Sequence, residues 1–321
     1  MNVAVLSPTP ELGRSGRYAQ IVRMSKKSEW QIDRDVLQDR QFDFRRKFLP
    51  DGLSHVDRLA FLPVQDARLL SQIQGRTYAY IFGLVERFIS AKMLDQGRAH
   101  ALEDQHALEA LVRFTNDEIK HQELFRRVEL AIGEQMTMGY RQMANPNDVA
   151  RAVLAASTWS VLALTCHIEL FVQSHYVESI VKGADLCPLF KDVFMYHWKD
   201  ESQHVVLDEI EWKDEHARLS PEQRDQAVND LIALVGAVDG ILQAQSAADA
   251  DYFARIASRQ YSDEEVADIH SVVLGAYRWQ YIISGVRHPH FVRLLSGMTT
   301  PAQIARIQSA LAPILTASTA A

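Results

Sequence analysis

Cysteine is nearly absent. The two in the chain, Cys166 and Cys187, are too few for a disulfide framework, so a reducing compartment, the cytoplasm, is the expected location. Glycine (14) and proline (10) are scarce for 321 residues, which disfavours a β-sandwich with its many tight turns. No apolar run approaches the ~20 residues of a membrane span. The longest uncharged stretch, 152–168, is broken by Ser157, Thr158, Ser160, Thr165 and His167 and reads as a helix inside a protein. The first 20 residues lack the basic start and apolar core of a signal peptide. Basic charge is not in excess either: 34 Lys and Arg against 41 Asp and Glu leave −7, so neither nucleic acid nor membrane is an expected partner. What remains, 47% hydrophobic and 23% charged, is an ordinary globular composition with enough chain for a large core.

The pattern is helical from about residue 65. Leu70, Ile73, Ile81, Phe82, Val85, Phe88 and Ile89 recur at three- and four-residue spacing, predicting a helix over 66–95. Further helices are expected over 104–132, over 148–182 with Gly183 as a left-handed terminator, and over 188–218 behind Pro188. Three more begin at Ser220-Pro-Glu-Gln223, Ser262-Asp-Glu-Glu265 and Thr300-Pro-Ala-Gln303, each a capping box. No alternating strand competes, so the fold class is all-α. The expected organisation is an N-terminal arm (1–64), a four-helix bundle (65–218) and C-terminal helices packed on the same domain (219–321). The basic cluster Arg45-Arg46-Lys47 lies in the arm, which reads as lying across the acidic body of its own chain.

Two stretches carry chemistry. Asp117-Glu118-Ile-Lys-His121 and Asp200-Glu201-Ser-Gln-His204 both contain Glu-x-x-His, which on a helix sets a carboxylate and an imidazole on one face. About 0.7 such matches are expected by chance from 18 Glu and 12 His in 321 residues. Three occur; the third, Glu103 with His106, sits near a helix start and reads as chance. Glu86 precedes Glu118 by 32 residues, and Glu169 precedes Glu201 by 32. If each pair of helices turns midway, at 102 and 185, each lone Glu comes level with a Glu-x-x-His. The expected linker 133–147 is long enough, at ~3.4 Å per residue, to cross the bundle. The result is the ligand set of a di-iron carboxylate bundle, in which four carboxylates balance two ferrous ions. Asp117 and Asp200 read either as acceptors for the N–H of the opposite ligand His or as surface carboxylates. Asp208, four beyond His204, is a weaker candidate of the same kind.

Over residues 65–218 the sequence resembles the ferritin-like di-iron oxygenases. His197, with Glu201 and His204, makes His-x-x-x-Glu-x-x-His, which is similar to the arylamine N-oxygenases, para-aminobenzoate N-oxygenase being the type. The resemblance implies that Glu86, Glu118 and His121 hold one iron, and Glu169, His197, Glu201 and His204 the other. Glu118 and Glu201 are then candidate bridges. His197 is alternatively a hydrogen-bond donor to a ligand Glu. The implied activity is O2-dependent oxidation, specifically N-oxygenation of an aromatic amine, with O2 as co-substrate and an external electron donor. Mn/Fe is compatible with the same ligands, and a homodimer is compatible with the family. The alternatives are a hydroxylase- or desaturase-type oxidase acting on another small molecule, and a ferroxidase or iron-binding protein. A ribonucleotide reductase radical subunit requires a tyrosine one turn after the first ligand His, where this chain has Phe125. Leu162, Thr165, Val172 and Gln173 lie a turn from Glu169 and pack in the core or flank the reacting oxygen. His167 and His175 read as ordinary polar contacts, His288-Pro289-His290 as a surface turn rather than a metal site, and Arg278, Arg287 and Arg293 as solvated side chains rather than a clamp for a substrate carboxylate.

Overall fold

The computed structural model describes residues 13–319, and side chains through 316. The readings that fall on residues 1–12, including much of the signal-peptide argument, lie outside the described residues. Twelve α-helices are seen among the described residues: α1 (Arg14–Lys27), α2 (Asp51–Ser54), α3 (Val64–Ala99), α4 (Gln105–Gly133), α5 (Pro146–Leu154), α6 (Thr158–Ser174), α7 (Pro188–Arg218), α8 (Pro221–Ile256), α9 (Asp263–Arg278), α10 (Ser284–Val286), α11 (Pro289–Met298) and α12 (Pro301–Thr319). No strand forms among these residues; a single bridge pairs Lys47 with Leu186.

The centre is a four-helix bundle of two antiparallel hairpins, α3–α4 and α6–α7, joined by one long crossover, the topology of ferritin-like folds. Each hairpin turns where the 32-residue spacing requires. The first turn ends at Asp104, whose carboxylate accepts from the backbone N–H groups of His106 and Ala107 at 3.0 and 3.2 Å, satisfying two otherwise unpaired donors of α4. Helix α7 starts at Pro188, where a missing N–H costs nothing.

The crossover runs along α3. Gly133 lies against Arg76, the Tyr140 hydroxyl bonds Thr77 at 2.8 Å, the Tyr80 hydroxyl donates to the Ala144 carbonyl, and Arg87 donates to Asn147 at 2.9 Å. It therefore covers some 16 Å of helix between positions 76 and 87. The helix expected over 148–182 is three pieces. The short α5 completes the crossing, residues 155–157 break it, and α6 passes at His175–Ile180 into a π-helical turn. Periodicity ran through the break because both sides bury apolar residues. Gly183 is not a left-handed terminator; its φ is not positive, and a Cβ there would lie 2.5 Å from the Leu186 side chain.

The N-terminal arm lies over the bundle. Helix α1 packs on α4 and α7, and the fully buried Phe48 stacks on Phe190 at 5.4 Å. Gly75 admits it: a Cβ at 75 would stand 2.6 Å from the Cβ of Phe48. The basic cluster is neutralised at home, Arg45 by Asp43 (2.9 Å), Arg46 by Asp185 (3.0 Å) and Lys47 by Asp51 (2.5 Å).

Past residue 219, the boxes at Ser220 and Ser262 form reciprocally, and Thr300 and Gln303 exchange the same two bonds at 2.9 and 3.3 Å. Helix α8 packs on α9, α6 and α3. Among the described residues it is long and apolar enough to cross a membrane by length and composition alone. Its acids are nonetheless paired within the protein: Asp239 with Arg278 at 2.7 Å, and Asp249 with Thr77, Tyr277 and Gln245. A continuous hydrophobic core takes residues from the arm, the bundle and the C-terminal helices alike.

Candidate metal centre

Glu86 projects from α3, Glu118 and His121 from α4, Glu169 from α6, and His197, Glu201 and His204 from α7. All seven are buried, none more than 2% exposed. They form two groups whose ligand atoms lie within 4.8 Å of one another: Glu86, His121, His197 and Glu201 in one, Glu118, Glu169, Glu201 and His204 in the other. Glu201 belongs to both. Its Oε1 is 2.7 Å from His197 Nε2 and 3.1 Å from His121 Nδ1, while Oε2 is 2.9 Å from His204 Nδ1. Glu118 Oε1 is 3.0 Å from His204 Nδ1 and 3.8 Å from His121 Nδ1, so it also lies between the groups.

This arrangement corrects one assignment. His197 stands with Glu86 (Nε2 to Oε1, 3.0 Å) and His121, not with Glu169 and His204. The reason is helix geometry. Seven residues of α7 separate His197 from His204, about 10 Å along the axis, so the two rings reach to opposite sides of Glu201.

The surroundings orient two of the three imidazoles. Asp200 Oδ2 faces His121 Nε2 at 3.1 Å and also accepts from Trp30 Nε1 (2.9 Å) and Lys120 Nζ (2.8 Å). Asp117 lies 3.7 Å from His204 Nε2, an electrostatic contact beyond hydrogen-bond range, and is held by Lys120 at 3.0 Å. With each Nε2–H turned toward its aspartate, each Nδ1 presents a lone pair to the glutamates. His197 is positioned differently. Its Nδ1 has no partner, and the ring is wedged edge-on between Phe82 (5.2 Å), Phe125 (4.9 Å) and Phe194 (6.3 Å). Asp208 is buried with neither oxygen bonded; burial holds its carboxyl well above the usual range, and it joins neither group.

The donor set fits divalent cations. Glu86 Oε2, both oxygens of Glu118, Glu169 Oε2, Glu201 Oε1 and His121 Nδ1 are buried without a hydrogen bond, several within 3–4 Å of another donor atom but poorly aligned to it. Isolated buried carboxylates carry a large desolvation penalty. Burial, and then the neighbouring glutamates, push the carboxyls of Glu118 and Glu169 well up. A cation would relieve both effects, and mixed carboxylate–imidazole donors suit iron or manganese.

Trp30 and Lys120 had no signal in the sequence. Their contacts with Asp200 form only when the arm and α4 meet α7: Trp30 is 170 residues from Asp200 and Lys120 is 80, and Lys120 Nζ sits 4.0 Å over the Trp30 ring. Of the weaker candidates, Glu103 and His106 are exposed. Leu162, Thr165 and Val172 are buried, and Gln173 Nε2 is buried without a partner. His175 links Tyr78 (2.8 Å) to Ser284 (2.9 Å), and His288 accepts from the His290 backbone at the start of α11 while His290 bonds Glu209 at 2.9 Å. Arg278 pairs with Asp239, Arg293 contacts His290, and Arg287 lies 5.9 Å from the centre of the Trp279 ring.

No protein-family model matches the chain, and no curated protein matches it. Solved structures do. An R2-like ligand-binding oxidase with aerobically reconstituted Mn/Fe cofactor is similar at 14% identity and a TM-score of 0.45, over 88% of this chain and 97% of that one. A variant of an R2-like ligand-binding oxidase with aerobically reconstituted Fe/Fe cofactor is similar at 16% identity and a TM-score of 0.47, over 84% and 92%.

Proposed function

We propose that this protein holds two transition-metal ions, Fe/Fe or Mn/Fe, in the Glu/His centre and is an O2-dependent oxidoreductase acting on a small organic substrate. The observation that carries this is the double-sided Glu201, one oxygen facing His121 and His197 and the other facing His204. A buried carboxylate so placed is built to bridge two cations. A pair of ferrous ions supplies two electrons to O2 when bound.

The chain's own side chains set the conditions for that chemistry. Four glutamates offset the charge of two divalent cations, so the buried centre is close to neutral. Asp200 holds the Nε2 side of His121 by a hydrogen bond, and the longer electrostatic contact of Asp117 favours the same orientation of His204, Nδ1 lone pair inward. Phe82, Phe125 and Phe194 keep water from the His197 side. The specific form of the reading is N-oxygenation of an aromatic amine, supported by the third imidazole in His197-x-x-x-Glu201-x-x-His204. An external electron donor and a cytoplasmic location belong to the same reading.

The test is anaerobic loading with ferrous iron, then mixing with O2 in the presence and absence of 4-aminobenzoate, followed by rapid-mixing absorbance and chromatography of the products. An oxidised amine, and a transient whose decay is accelerated by the amine, support the proposal. Immediate conversion to ferric product, indifferent to amine, is the ferroxidase outcome and overturns the substrate assignment. Metal content tests the centre itself: two ions per chain are expected, none in Glu201→Ala and one in Glu169→Ala. Wild type without bound metal sinks the whole reading.

A further inference from the structure

Where the arm meets the end of α9 lies an open cavity of about 660 Å³, inside the range of small-molecule sites. Asp51, His55, Asp57 and Arg58 line it from the arm, and Trp279 and Arg287 from beyond α9. Two departures from regular backbone meet there. His55 closes α2 in the left-handed region, with φ 55° and ψ 20°, a conformation infrequent outside glycine that concentrates at ligand clamps. Trp279 opens the π-helical turn Trp279–Ile283, another feature enriched at functional sites. The charges of the lining do not cancel. Asp51 is held by Lys47 at 2.5 Å, whereas Arg58 and Arg287, both exposed, have no hydrogen bond or ion pair from their side chains among the described residues. The Arg287 guanidinium instead lies 5.9 Å from the centre of the Trp279 ring, and the His55 ring lies 6.4 Å from it on centres. Burial, and then the Arg58 guanidinium, push His55 down to about 4, so it carries no charge at neutral pH. Two free guanidiniums against the one unpaired carboxylate of Asp57 leave a single positive charge unmatched.

We infer that this cavity is a binding site for an aromatic monocarboxylate, its carboxylate held by Arg58 and Arg287 and its ring lying against Trp279. A guanidinium presents a planar fork of donors that matches a carboxylate, and an indole offers a flat apolar face to an aromatic body. The 5.9 Å between Arg287 and the Trp279 ring lets one small molecule reach both. The single unmatched charge suits a monoanion; a phosphate monoester brings nearly two negative charges, and Asp57 opposes the second. An aliphatic carboxylate forfeits the ring contact, and a neutral amide forfeits the ion pairs. None of the seven residues of the metal centre lines the cavity, so this site stands apart from the oxidation chemistry proposed above and does not rest on it.

The test is titration calorimetry on the full-length protein at about pH 8, where a phosphate monoester is a dianion. The probes are 2-naphthoate, 2-naphthamide, cyclohexanecarboxylate and 2-naphthyl phosphate. 2-Naphthoate is expected to bind, and the other three at least tenfold more weakly. Arg58→Ala, Arg287→Ala and Trp279→Leu are each expected to weaken 2-naphthoate at least tenfold. Arg23→Ala, which removes another exposed and unpaired arginine, on α1, is expected to leave it unchanged. Because Arg58 and Arg287 are exposed, their variants keep the proposal testable if Trp279→Leu fails to fold. The same binding is expected after dialysis against chelator, whether or not the metal reading holds; its loss there would move the ligand to the metal centre and overturn the proposal. No binding at the probe's solubility limit, equal affinity for the amide, or indifference to both pocket arginines also overturns it. So does an equal loss in Arg23→Ala, which would make the binding a general effect of basic charge. Tighter binding of 2-naphthyl phosphate than of 2-naphthoate overturns the choice of a monocarboxylate.

Discussion

Replacing Glu169 by glutamine separates what the centre does for stability from what it does for metal. In the metal-free protein Glu169 is buried beside Glu201 and Glu118, and its carboxyl is held well above the ordinary value of 4.5. The sign follows from linkage. Below about pH 4.5 the group is protonated both folded and unfolded, and its stability contribution is intact. As pH rises, the unfolded chain releases the proton first and stability falls until the folded group also ionises. Glutamine imitates the protonated form at every pH, so Glu169→Gln is expected to leave metal-free stability unchanged near pH 4.5 and to raise it by about 2 kcal/mol near pH 8, the usual scale for relieving uncompensated buried charge. With an unfolding entropy of about 2.1 cal/mol/K per residue, 321 residues give about 0.7 kcal/mol/K, so 2 kcal/mol moves Tm up by about 3 °C. With ferrous iron at about 100 times Kd, wild type should gain about 2.7 kcal/mol, roughly 4 °C, and the variant less. The assay is anaerobic scanning calorimetry at both pH values, with chelator and with iron. A chelated variant that melts lower than wild type at pH 8, or a variant stabilised by iron as much as wild type, refutes the reasoning.

Asp200→Asn weakens the hold on His121 and is expected to lower metal affinity 10- to 100-fold, read by competition with a chromogenic chelator; Asp117→Asn, whose contact is longer, should cost less. Asp249, buried with its carboxyl pushed up from 3.8 to about 7 by desolvation, destabilises the fold progressively as pH rises from about 4 through 7, by at most about 4 kcal/mol. Asp249→Asn should therefore flatten the dependence of Tm on pH across that window, and an unchanged slope counts against the assignment. Phe48→Ala empties a fully buried site between Gly75 and Phe190 and should cost about 3–5 kcal/mol in urea unfolding. A loss under 1 kcal/mol would mean that the arm contributes little to the core.

The candidate centre was legible in unusual detail because its signals are local or periodic. Glu118 and His121 share a face by i,i+3 spacing, as do Glu201 and His204, and the 32-residue intervals bring Glu86 and Glu169 level with them once the hairpins turn at 100–104 and 181–187. The break at 155–157 was not legible, because apolar periodicity persists on both sides of it. The Asp200 contacts of Trp30 and Lys120 were not legible either, since they are set by how the arm and α4 meet α7 rather than by spacing.

The sequence by itself determined the all-α class, the main hairpins, the capping boxes at Ser220, Ser262 and Thr300, and which side chains of each helix point inward, since a helix converts spacing directly into direction. Only the tertiary structure decided how four inward faces meet: that His197 joins Glu86 and His121, that Glu201 stands between both groups, and that Asp200 collects His121, Trp30 and Lys120. Those facts depend on the relative height and rotation of helices far apart in the chain. Packing of side chains such as Phe48 against Gly75 and Phe82 of α3 against His197 of α7 sets that height and rotation, and no periodicity within one helix encodes it.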